Sequence, residues 1–314
     1  MDTAYYLGTM PNFPDPTLLA IPAFIFLVAI EWWAVAKSHA RGTYETKDAW
    51  TSMIMGTGSA ISGALFGFIA GAIALFAWKF RVYEIEFTWL SMAALMLFND
   101  FIYYWKHRFM HRVRWFWANH VIHHSSNFYN LTTALRQPWT GPISGLVIIG
   151  TPQILLGFHP AMVAFAGGLN LLYQFWIHTE AIERLPCPIE YMFNTPSHHR
   201  VHHGRNARYL DANYGGILII WDRMFGSFVP ELDREKPDYG LVSQLTTHNP
   251  LIVATHEYGA LLKDLWNDGF RIWRWLGRFL GPPGWSPDGN HQTSNAFKRD
   301  FLEANPEERG TEGF

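Results

Sequence analysis

The stretch Asn99–Ser126, NDFIYYWKHRFMHRVRWFWANHVIHHSS, constrains this chain more than any other. It carries His107, His111, His120, His123 and His124 in one short window. A second window, HHRVHH, adds His198, His199, His202 and His203, so nine of the fifteen histidines fall in two places. On a helix, residues three or four apart share a face. His107 and His111 then project together, and so do His120, His123 and His124. Histidines that merely satisfy a core do not cluster at this density. Imidazole is the commonest biological metal ligand, and eight or more imidazoles on facing helices are enough to surround two metal ions.

What is missing narrows the chemistry. Cys187 is the only cysteine, which disfavours thiolate zinc sites and iron–sulfur clusters. Arg108 follows His107, so the helical H-E-x-x-H of a zinc protease is absent. No Glu-x-x-His pair of the soluble di-iron carboxylate type occurs. The pattern left is an all-nitrogen dinuclear site, and imidazole suits iron, zinc and copper alike.

The segments HRFMH, HVIHH and HHRVHH resemble the three histidine boxes of the membrane fatty acid hydroxylase/sterol desaturase superfamily. The runs His123–Gln137, Tyr173–Glu180 and Asn194–Phe228 resemble its alkylglycerol monooxygenase-like branch, and the similarity covers roughly Asn99 to Tyr258. The resemblance implies an all-α integral membrane bundle with a cytosolic, histidine-rich di-metal cap. It implies two iron ions, with zinc as a possible substitute, and O2 as co-substrate in hydroxylation or desaturation of a lipid C–H bond. In that branch the second histidine of the first box is usually followed by a glutamate associated with tetrahydropterin use. Here Arg112 stands in its place, so the resemblance leaves open both the use of tetrahydropterin and whether the lipid is a sterol, a fatty acyl chain or an ether lipid.

Composition agrees with a lipid-facing chain. Of 314 residues 49% are hydrophobic and 17% aromatic, with 15 Trp and 24 Phe, and only 16% are charged, against about 25% in soluble domains. A net charge of -2 gives no hint of nucleic acid binding. One cysteine excludes a disulfide framework. Residues 1–16 lack the basic stretch of a signal peptide. The expected organisation is a single membrane-embedded domain over 1–280 and a polar tail over 281–314.

Apolar stretches predict crossings at Pro16–Ala36, Thr51–Trp78, Thr88 to about Trp105, Thr140–Gly157 and Pro160–Ile177, each near the ~20 residues a bilayer core needs. The small residues Gly63, Gly67 and Gly71 are spaced for close helix packing. Lys106, Arg108, Arg112 and Arg114 put the boxes on the cytoplasmic side. FRIWRWLGRFL, Phe270–Leu280, reads as an interfacial helix. The hairpin from Thr140 to Ile177 returns His178 to the level of the boxes. The family's fatty acyl hydroxylases often supply two histidines in this region. Gln174 stands at the first position here, implying an open or water-filled place on one iron.

The expected metal ligands are His107, His111, His120, His123, His124, His178, His199, His202 and His203, with His198 as a further candidate. His159, His248, His256 and His291 are isolated and stay outside the set. Asp100 lies seven residues before His107, on the same helical face, and Glu180 follows His178 by two. Both are placed to orient a ligand imidazole. Tyr129, Asn130, Arg136 and Gln137, close behind the second box, are expected on the substrate or oxygen side. The alternative for Asn130 and Arg136 is helix capping and loop support. No haem-binding His-Pro-Gly-Gly or dinucleotide fingerprint occurs, so electrons come from a separate donor, and the lipid substrate arrives from the bilayer. A histidine-rich membrane metal transporter or sensor is the alternative of another class. A zinc hydrolase using Glu180 or Asp211 as base is a third.

Overall fold

The computed structural model describes residues 13–314, all helix, turn and loop, with isolated bridges in place of strands among the described residues. Residues 1–12, where no signal-peptide pattern was found, lie outside them. The principal helices are α1 (Ile21–Ala36), α2 (Thr46–Trp78), α3 (Trp89–Arg112), α4 (Arg114–His124), α5 (Val147–Leu156), α6 (Pro160–Phe175), α7 (Pro196–His202), α8 (Pro250–Asp268), α9 (Ile272–Leu280) and α10 (Ser294–Ala304).

The corner between α3 and α4 makes the site possible. Helix α3 starts in a capping box, in which Thr88 and Ser91 exchange side-chain and backbone hydrogen bonds. It stops at Arg112 because Val113 is extended, at φ -122° and ψ 116°. Val113 is also the residue before α4, so one extended residue folds α4 back onto α3. Val113 disfavours helix slightly through its β-branch. The first and second histidine boxes therefore face each other across a one-residue turn.

Helices α2, α5 and α6 brace this corner. Trp139 Nε1 donates to the Met55 carbonyl of α2 at 3.1 Å, and Asn99 of α3 donates to Gln153 of α5 at 3.0 Å. One cluster joins Met55 to Val121, Ile122, Val253 and Ala254, tying α2 to α4 and α8. Gly157 ends α5 at φ +120°, and a Cβ there would sit 2.5 Å from the Tyr83 carbonyl oxygen, so only glycine fits this turn.

Several expectations need correction. Among the described residues only Thr46–Trp78 is long and apolar enough to cross a membrane, with 33 residues and a mean hydropathy of 2.1. Helices Ile21–Ala36 and Val147–Leu156 are apolar but have 16 and 10 residues. Gly63, Gly67 and Gly71 have nothing within 4 Å of an added Cβ. They face away from the bundle, and the close approach falls instead at Gly56, against the Leu135 carbonyl, and at Gly58, against Trp139. Residues 281–314 fold onto the domain rather than forming a loose tail. The buried Arg208 gathers Glu308 at 2.6 Å, Thr311 at 2.9 Å and the Phe314 ring at 4.4 Å. Buried guanidinium donors need partners, and this segment supplies them.

Candidate metal centre

The boxes converge into two buried groups. His107, His111, His120, His124 and His202 form one; His123, His178, His199 and His203 form the other. Within each group the offered nitrogens lie within 4.8 Å of one another. Each HxxHH box is split. In the second box His120 and His124, four apart, enter the first group, while His123 enters the second. In the third box His199 and His203 enter the second group and His202 the first. Adjacent helical residues diverge by about 100°, so neighbouring histidines serve different groups. His178, brought back at the end of α6, completes the second group from outside the boxes.

The proton positions follow from what each ring touches. A carbonyl oxygen only accepts, so a ring nitrogen facing one carries the hydrogen. His107 Nδ1 donates to Tyr214 O at 2.9 Å, His202 Nδ1 to Ala212 O at 2.9 Å and His178 Nδ1 to Gln174 O at 2.7 Å. His123 Nδ1 reaches Arg136 O at 3.3 Å. The Nε2 atoms of His123 and His178 are therefore both bare lone pairs, yet they stand 3.1 Å apart. No hydrogen bond joins two lone pairs, whereas a cation between them does. The Nε2 atoms of His111, His202 and His203 are buried with no partner at all, at a cost that metal ligation removes. Burial pushes His107, His120, His123, His124, His199, His202 and His203 well below the ordinary imidazole range, and their neighbouring imidazoles add to this. Burial brings His178 to about 4. Neutral imidazole is the metal-binding form, so the donor set fits two soft-to-borderline divalent ions.

One loop orients three rings of the first group. Asp211 Oδ1 lies 3.4 Å from His111 Nδ1, and Ala212 and Tyr214 offer their carbonyls to His202 and His107. The loop is strained, with Asp211 at φ +54° and Asn213 at φ +56°. Asn213 offsets this by donating to His198 O at 3.0 Å and Val229 O at 2.7 Å. Asp222 holds the amides of Tyr214 and Gly215, each at 2.7 Å. Arg112 pairs with Asp211 at 2.8 Å, so the arginine at this position steadies a carboxylate beside His111. Changing Asp211 to Asn should weaken metal affinity at the first group about 10–100-fold and leave the second group unchanged. Chelator competition on the two populations measures this. Equal affinities in variant and parent would remove Asp211 from the site.

The other expected residues fall elsewhere. His198 lies outside both groups, with Nε2 3.1 Å from the Glu190 carboxylate. Burial raises Glu190, but hydrogen bonds from His198 and Ser197 outweigh it and bring the carboxyl to about 2. Asp100 touches no ligand imidazole. It accepts from Ile217 N at 2.7 Å, Leu218 N at 3.0 Å, Trp221 Nε1 at 2.9 Å and Asn170 Nδ2 at 2.9 Å, anchoring the chain that follows the Asp211–Gly216 loop. Glu180 does not reach His178, whose Nδ1 is taken by Gln174 O. It accepts instead from Tyr239 Oη at 3.1 Å. The Gln174 side chain is likewise spent on Asn170, at 2.6 Å, and Tyr103, at 2.7 Å, and not on a metal group.

Of the four residues behind the second box, Tyr129 is the one beside the groups, its ring 5.1 Å from His203 and 5.9 Å from His178. Asn130 caps the turn Leu131–Ala134 and donates to Thr43 O at 2.9 Å. Arg136 is buried against Asp48 of α2 at 3.1 Å and Ser125 at 2.9 Å. Gln137 donates to Ala134 O at 2.8 Å. Asn130, Arg136 and Gln137 are thus placed as supports, with the Arg136 carbonyl fixing His123. A cleft of about 500 Å³ leads to the first group, its walls including His111, His124, His202, Trp117 and Arg278.

Comparison with known proteins agrees with this geometry. The family model described as fatty acid hydroxylase matches residues 92–227, a span holding both groups. Alkylglycerol monooxygenase of Homo sapiens is 38% identical over 288 residues, covering 89% of this chain and 62% of its own length. The Xenopus tropicalis enzyme is 40% identical, covering 88% and 60%. Ornithine lipid hydroxylase OlsE of Rhizobium tropici is 24% identical, covering 48% and 45%. The chain thus spans about 60% of the length of the alkylglycerol monooxygenases it matches in these two vertebrates. No solved structure matches. Residues 92–227 match the fatty acid hydroxylase family model, in a chain homologous to the alkylglycerol monooxygenases.

Proposed function

We propose that the chain is a membrane-embedded, iron-dependent oxygenase that hydroxylates a C–H bond of a lipid. The observation that carries this is the pair of buried all-imidazole groups, with the lone pairs of His123 and His178 facing each other at 3.1 Å. Two iron ions held there would supply O2 activation. The chain itself supplies three things. The nine rings would hold the metals, and the Asp211–Tyr214 loop and the Arg136 and Gln174 carbonyls fix the ring orientations. Burial of the rings limits water at the site, with the cleft at the first group as the approach, and this protects a reactive centre. Lipid access is supported by the outward face of α2, where Phe68, Phe76 and Leu65 are exposed, and apolar surface of that extent is stable in a bilayer. The names of the relatives, a lipid hydroxylase and lathosterol oxidase among them, support lipid hydroxylation. With no reductant-binding fingerprint in the chain, a separate electron donor completes the reading.

The test is turnover under labelled O2. Membranes carrying the chain are supplied with ¹⁸O2 and their lipids compared with membranes lacking it. The reading predicts a lipid class that gains one ¹⁸O atom. A product carrying oxygen from water, or turnover without O2, would point to a hydrolase and overturn it.

A further inference from the structure

Helices α8 and α9 carry an apolar face that no described residue covers. Leu262 (66% exposed), Trp266 (86%), Phe270 (100%) and Trp273 (80%) follow one another along it, continued by Ile272 and Leu280. The opposite face is committed to the protein. Leu261 and Leu265 are buried, Glu257 and Asp264 pair with Arg114 at 2.8 and 2.6 Å, and Asp268 pairs with Arg278 at 2.8 Å. The exposed stripe therefore belongs to a docked, ordered helix pair.

We propose that this α8–α9 corner is an interfacial foot, lying flat on the bilayer with Trp266, Phe270 and Trp273 in the headgroup–acyl boundary. The inference rests on the membrane location proposed above. Three observations select a lipid surface as the occupant. The first is level. Val253 and Ala254 of α8 pack in one cluster with Met55 of α2, and Thr51 donates to His248 O at 3.2 Å. From Met55 helix α2 runs on to Trp78, about 35 Å at 1.5 Å per residue. That is close to the ~30 Å hydrocarbon core, so the start of α8 sits at one boundary of the span. The second is continuity. Trp50 and Ile54 on α2, and Leu251 and Ile252 at the start of α8, are exposed at this same level. The third is charge. Lys263 and Arg271 are exposed and have no carboxylate partner among the described residues, whereas Arg274 and Arg278 are tied to Asp268. Free cations beside an aromatic stripe suit anionic headgroups. Asp264, Glu257 and Arg278 also line the cleft to the first histidine group, so the foot sets that cleft close to the headgroup layer.

Spin labels decide it. Cys187 is exposed, so labels are placed singly at 266, 270 and 273 in a Cys187→Ser background, with Phe68→Cys on α2 as lipid control and Lys236→Cys as aqueous control. The protein is held in nanodiscs containing one-third anionic lipid. The expected result is that labels at 266, 270 and 273 collide more with O2 than with a water-soluble nickel chelate, as at 68 and opposite to 236. Should they match 236 while 68 remains in lipid, the foot is overturned and the membrane reading stands. Shielding from both reagents would mean a protein covers the stripe, which also overturns it. If 68 matches 236, the membrane reading itself fails and the foot with it.

Discussion

Replacing His120 with alanine should reduce the metal content from two ions per chain to one or fewer and abolish O2-dependent turnover. His120 Nε2 lies 3.0 Å from His107 Nε2 and 3.1 Å from His124 Nε2, at the middle of the first group. On the proposed reading its removal takes away a ligand rather than an outer partner. The loss should therefore exceed the roughly 10–100-fold effect of outer-partner mutations. The residue is buried beside Val121 and Ile122 in the α2–α4–α8 cluster, so thermal unfolding is followed alongside. Retention of two tightly held ions by a folded His120→Ala protein would exclude it as a ligand.

Asp48→Ala should cost about 3–5 kcal/mol, because it leaves the buried Arg136 guanidinium without its charge partner. Asp48 and Arg136 are both buried, 3.1 Å apart, and Ser126 also donates to Asp48 at 2.5 Å. The Arg136 carbonyl holds His123, so metal at the second group should be lost together with stability. Arg136→Lys should do the same to a smaller extent, since lysine does not reproduce the two-pronged contact to Asp48, Ser52 and Ser125. Denaturant midpoints and metal content, read in parallel, check this. Lost turnover with stability and metal both intact would instead put Arg136 on the substrate.

The gathering of the boxed imidazoles was legible in the chain from helical period, and His178 from the return of the Thr140–Ile177 hairpin, whereas the division of His120, His123 and His124 between two groups was not. Residues four apart must share a face, and the Val113 corner needs only one extended residue to bring two boxes together. The outer partners were not legible for a different reason. Four of the groups that orient the rings, at Ala212, Tyr214, Gln174 and Arg136, are backbone carbonyls, which every residue possesses. Asp211 reaches His111 across a hundred residues of sequence and through a left-handed backbone that spacing does not reveal. Asp100 and Glu180, which spacing favoured, point instead to amides and to Tyr239; Asp100 shares a helical face with His107 but sits about 10 Å from it along α3. His198 illustrates the limit of the period argument. It is four residues before His202, yet its ring turns to Glu190. Gly63, Gly67 and Gly71 carried a packing motif, yet no described residue comes within 4 Å of a Cβ placed there. The order in residues 281–314 depended on Arg208, a hundred residues away from Glu308.

The most direct test is the metal-to-protein ratio of the intact chain, purified in detergent under anaerobic conditions after iron loading and measured by elemental analysis. Two ions per chain are expected, one for each histidine group, falling when either group is altered. A ratio of one or less in well-folded protein would contradict the account.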